Sequence, residues 1–98
     1  MGTEQNSSED IEKIPVGQFV DSKLEAEGRR VAHSRNDAGY ARIYPDVARA
    51  LVSEYPESTA EQRQAVFYKF KHHAELIKAR TGLDVAAGLG EASKILGL

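Results

Sequence analysis

Between Pro56 and Gly82 the chain carries about twenty helix-compatible residues with a marked start and a marked stop. Ser58 and Glu61 stand three apart, the spacing at which a hydroxyl and a carboxylate each satisfy the other residue's backbone N–H at a helix start. Thr81-Gly82 closes the run, because glycine takes the left-handed conformation found just beyond many helices. Lys78 and Arg80 suit the negative end of the helix dipole. One helix over about 59–80 is predicted. No alternating strand pattern competes with it anywhere, and Val and Ile are scattered. The fold class read from the sequence is all-α.

At about 100° per residue, this helix has apolar residues on two opposite sides. Val66, Phe67, Phe70, Ala74 and Ile77 form a core stripe, with Arg63 entering at its N-terminal end. The other side carries Ala65, Tyr68, His72, Leu76 and Ala79, with Glu75 among them. Lys69 and Arg80 lie along one flank, Lys71 and Lys78 along the other. Such a helix is either buried centrally or shared with a partner. In a domain this small the reading favours central burial between the first and last helices. The functional reading makes Tyr68, His72, Leu76 and Ala79 a partner-binding face.

Three further helices are predicted, and a fourth short turn over Ala38–Ile43. The first runs from Val16 to about His33, with Val20, Leu24, Gly28 and Val31 on one side. Gly28 within that stripe costs about 1 kcal/mol relative to alanine and points to close helix packing there. Ser34–Asp37 reads as a break in which Asn36 or Asp37 caps the next helical segment. The next helix, about 45–55, has Pro45 in its first turn, where a missing N–H is harmless. Its stripe is Tyr44, Val47, Ala48, Leu51 and Tyr55. The last starts at Asp84 as N-cap and turns Val85, Leu89, Ala92, Ile95 and Leu96 to one side, with Gly88 and Gly90 weakening it.

Ninety-eight residues suit one small domain. A core of this size supplies only about 3–5 kcal/mol, so a partner or self-association would help. The charge is uneven. Residues 1–27 hold seven acids against Lys13 and Lys23, a balance of −5, while residues 28–98 hold eleven bases against eight acids, a balance of +3. Residues 1–15 are polar and acidic and are expected to form a disordered tail ahead of a helical domain over 16–98. The tail is no secretory signal, and Asn6 stands where a myristoylation start wants Ser or Thr. No apolar run approaches the roughly 18 residues that span a bilayer, so no membrane partner is expected. There is no cysteine, which suits a reducing cytoplasm.

Candidate chemistry is thin. His72 and His73 point about 100° apart on a helix and cannot clasp one metal ion together. His72 and Glu75, at i and i+3, would need ligands from a second helix. One histidine at a core edge and one in solvent is the favoured reading. His33 and Ser34 find no third group to complete a nucleophilic arrangement. Tyr40 and Tyr44, with Arg42 between them, suit hydrophobic packing better than ring stacking. Gly88-Leu89-Gly90 lacks the strand that precedes a phosphate loop. No cofactor and no metal are expected, and the chain is not expected to be an enzyme.

An alternative is a helix-turn-helix-like nucleic-acid binder built on helices 45–55 and 59–80. Arg29, Arg30, Arg35, Arg42, Arg49 and Arg63 would make its contacts, with Gln62 and Gln64 as base readers. Against it, Glu54, Glu57 and Glu61 crowd the end of the would-be recognition helix, and the net charge is −2. The sequence therefore favours a bundle of four or five helices that binds another protein or itself, as a homodimer, with the Arg29–Arg49 region as a polar rim.

Overall fold

The computed structural model describes residues 15–32 and 37–98, which form four α-helices. They are α1 (Val16–Val31), α2 (Asp37–Glu54), α3 (Ala60–Thr81) and α4 (Ala87–Leu96). No strand occurs among the described residues. Residues 1–14 of the tail expected over 1–15, and Ser34, Arg35 and Asn36 of the break expected over Ser34–Asp37, lie outside them, as does His33.

The central element is α2, not α3. Ile43, Tyr44, Val47, Ala48 and Leu51 are all buried, as is Pro45, so α2 is covered on several sides. It packs most extensively on α4 and next on α1, while α3 lies against α4 and touches α1. Tyr44 and Phe70 join α2 to α3, with ring centroids 5.4 Å apart. The core drains into one cluster: Val20, Leu24 and Val31 from α1, Val66, Phe70 and Ala74 from α3, and Val85, Ala92 and Leu96 at the C-terminal end. No polar or charged residue is buried in it among the described residues.

Pro45 sits inside α2 and not in its first turn, so the expected short turn over 38–43 and the helix after it are one element. Proline at this position withdraws the N–H that would have bonded the carbonyl of Ala41, four residues back. Gly88 of α4 approaches that carbonyl closely. A Cβ built on Gly88 would overlap the Ala41 carbonyl oxygen and stand 2.9 Å from its carbon. One Cα hydrogen of Gly88 therefore points at the freed oxygen, in the manner of the Cα–H···O contacts found between closely packed helices.

The close packing expected at Gly28 is found at Gly88 instead. Nothing lies within 4 Å of a Cβ at Gly28. With helix propensity unopposed, Gly28→Ala is expected to stabilise the fold by up to about 1 kcal/mol, read as a higher urea midpoint at unchanged slope.

The ends of α3 show how it is anchored. The cap is Thr59 and not Ser58: the Gln62 N–H donates to Thr59 Oγ1 at 3.1 Å, and the Thr59 N–H donates to Gln62 Oε1 at 2.8 Å. Ser58 is left to accept from Arg63 Nε at 2.8 Å. Gly82 ends the helix in the left-handed region at φ +78°, and its N–H donates to the Lys78 carbonyl at 2.8 Å. Asp84 is displaced from the cap position of α4 that the sequence suggests. Its Oδ1 accepts from the Ala86 N–H at 3.1 Å, ordering the turn that leads into the helix.

Candidate functional site

Two sets of residues stand out in the sequence, and the fold treats them differently. The inner stripe of α3 goes into the core: Val66, Phe70 and Ala74 are buried, and Phe67 and Ile77 pack against them. The opposite side is not packed into the core, although Ala65 at its N-terminal end borders a groove shared with Pro15, Val16 and Gly17 at the start of α1. Ala65, Tyr68, His72, Leu76 and Ala79 are all exposed. Tyr68 keeps 58 % of its surface in solvent and Leu76 40 %, so the expectation of central burial for this helix is overturned. The reason is topological: α2 already occupies the middle, and a bundle of four helices leaves each outer helix one free side.

The outer face is bordered by charge. Lys71 Nζ lies 5.6 Å from the centre of the Tyr68 ring, a cation–π approach along the helix. His72 Nδ1 and Glu75 Oε1 are 4.0 Å apart, both exposed. No group of three His, Cys, Asp or Glu side chains able to hold a metal gathers there or elsewhere among the described residues.

The adjacent histidines divide as their angular separation requires. His72 is in solvent, while half-buried His73 turns inward and shares a 2.7 Å hydrogen bond between its Nδ1 and Tyr44 Oη. The two rings meet edge to face with centroids 5.5 Å apart. Burial pushes the Tyr44 phenol well above its ordinary range. Burial also lowers the His73 pKa, and the neighbouring His72 lowers it further. The folded state thus prefers neutral His73. Above an ordinary histidine pKa of about 6.5 this preference costs nothing. Below it the unfolded chain takes up the proton first, so stability is lost as the pH falls toward the folded-state value. The unfolding midpoint is expected to drop between pH 7.5 and pH 5, and His73→Gln is expected to flatten that drop.

The arginines do not form one surface. Arg29 pairs with Glu25 at 3.3 Å and Arg30 with Glu27 at the end of α1. Arg42 and Arg49 share Asp46 on α2, and Arg49 also reaches Glu91 of α4 at 2.9 Å. Arg63 is half-buried and structural. Besides Ser58, it donates to the carbonyls of Leu96 at 3.4 Å and Pro56 at 3.3 Å, tying the α2–α3 turn to the end of α4. Arg35 lies outside the described residues. Tyr40 and Tyr44 are both buried and so serve packing.

Sequence reasoning misses the role of Arg63 as a clamp, because nothing in its neighbours announces that the chain end returns to it. A cleft of about 430 Å³ lies between the ends of α1 and α3, lined by Ala32, Tyr40, Arg80, Thr81 and Leu83. No described helix is long and apolar enough to cross a membrane.

These features define an all-α fold in which the outer face of α3 is exposed among the described residues. Comparison with family models, curated proteins and solved structures finds no match.

Proposed function

We propose that this chain is a non-enzymatic interaction protein that binds another protein, or a second copy of itself, through the outer face of α3. The observation that carries the reading is the exposure of Tyr68 and Leu76 on a helix whose inner face already meets the core. Aromatic and aliphatic side chains flanked by charge are the composition of a recognition patch, in which a few large residues supply the affinity. His72 and Ala79 complete the strip between and beyond them.

A photo-crosslinking amino acid in place of Tyr68 tests this in extract of the organism that makes the protein. Adducts are expected from that position and not from the exposed Ser53 at the end of α2. Equal labelling from the two positions would remove the reading.

Nucleic-acid binding draws less support. Gln62 is held in the helix cap, Arg63 is turned into the fold, and Arg29, Arg30, Arg42 and Arg49 face acids. No gel shift is expected even at low salt, where any phosphate-contacting protein binds most tightly.

A further inference from the structure

Resting on the reading of the outer α3 face as a binding surface, we infer that its partner is a second copy of this chain, packed antiparallel across a two-fold axis at His72. The face is symmetric about that residue. Tyr68 and Leu76 stand four positions to either side of His72, and Ala65 and Ala79 seven positions to either side. With about 100° per residue, all five fall within about 40° of one line along the helix. Reversing one copy about His72 sets Tyr68 level with Leu76 of the second copy and Ala65 level with its Ala79. Large side chains meet at two levels, small ones at two more, and the His72 rings meet at the centre.

A two-fold interface demands a patch that is complementary to itself, and this one meets the demand in shape and in charge. Tyr68, His72 and Leu76 form an i±4 ridge, and such a ridge seated in the i±3 grooves of a facing helix gives the shallow crossing of about 20° that keeps two antiparallel helices in contact along their length. Lys71 and Glu75 lie on the same flank, one residue before the axis and three after it. The reversal brings Glu75 of each copy within about 3 Å, measured along the helix, of Lys71 of the other. Two equivalent Lys71–Glu75 ion pairs therefore border the contact on that flank, while the other flank carries Arg80 and Lys69 of both copies, Lys69 being paired with Asp21 of its own chain at 3.1 Å. The surface is free to be used: Ala65, Tyr68, His72, Leu76 and Ala79 are exposed, and the ring contact of Tyr68 and the charge contact of His72 stay within α3. One helix face buries less than the roughly 800 Å² per partner of a standard interface. The dimer is accordingly weak.

The chain has no cysteine, so introduced thiols report their own positions. At a two-fold axis a residue faces itself within the reach of a disulfide. Under mild oxidation His72→Cys is expected to give a covalent dimer at least tenfold faster than Ser53→Cys. Ala65→Cys and Ala79→Cys alone are expected to crosslink slowly, since each lies about 21 Å along the helix from its own copy, whereas an equimolar mixture of the two forms the mixed dimer. Adding Tyr68→Glu to His72→Cys should return the rate to the Ser53→Cys level with the far-ultraviolet circular dichroism unchanged. A His72→Cys rate no greater than that of Ser53→Cys overturns the two-copy arrangement, as does Ala65→Cys alone matching His72→Cys. If photo-crosslinking at position 68 still yields adducts in that case, the face binds a different protein; if it yields none, the reading of the face has failed as well.

Discussion

Phe70→Ala is expected to cost about 3–5 kcal/mol, comparable with the whole of what a core of this size supplies, so that much of this variant is unfolded before urea is added. Phe70 is fully buried, and its ring packs at a 39° tilt on Tyr44, the residue that joins α3 to the central helix. Truncation removes that ring contact and leaves a cavity between α2 and α3 beside the Tyr44–His73 hydrogen bond. Tyr68 is two residues away on the same helix and faces solvent. Tyr68→Ala is accordingly expected to change the stability of the dilute protein by no more than about 0.5 kcal/mol. Urea unfolding of the two variants side by side checks the assignment of the faces, since a helix buried on both sides would suffer from both substitutions.

Gly88→Ala is expected to destabilise by about 1–3 kcal/mol, against a helix propensity that favours alanine by about 1 kcal/mol. The new methyl would collide with backbone, the carbonyl of Ala41, which has no rotamer to yield. Relief requires α4 to withdraw from α2, loosening Ala92 and Leu96 from the core together. Gly90 is the internal control. It lies in the same helix, and nothing stands within 4 Å of its Cβ position. Gly90→Ala is expected to raise the unfolding midpoint where Gly88→Ala lowers it. Thermal unfolding of both reads the two signs directly, and stabilisation by both would show that α2 and α4 do not meet closely at Gly88.

Much of the architecture is legible in residue spacing. The Val66–Phe70–Ala74 row and the Tyr44–Val47–Ala48–Leu51 row are both buried as their periodicity implies. Gly82 marks the end of α3 because only a residue without a Cβ takes φ +78° without strain. The illegible part depends on tertiary partners. Ser58–Glu61 and Thr59–Gln62 fit the capping template equally well in the sequence, and the position of the first helical turn selects the second pair. Pro45 looks like a helix start by its local preference, yet burial around it holds one continuous helix. Gly28 and Gly88 are indistinguishable as letters; only the neighbour across the gap separates an open site from an obligatory one. The two apolar sides of α3 are visible from angles alone. Which side meets the core is decided by α2 being the central helix, a property of the packing and not of α3.

On this reading α3 gives one face to the fold and the other to a partner. The most direct test of that division is the unfolding midpoint of the native chain and of Tyr68→Glu/Leu76→Glu, each measured from micromolar to millimolar protein. At low concentration the two midpoints are expected to coincide, since the outer face contributes nothing to the isolated fold. At high concentration the native midpoint should rise by mass action while that of the double variant stays level. A double variant that melts well below the native chain even when dilute would contradict the division, because Tyr68 and Leu76 would then belong to the core.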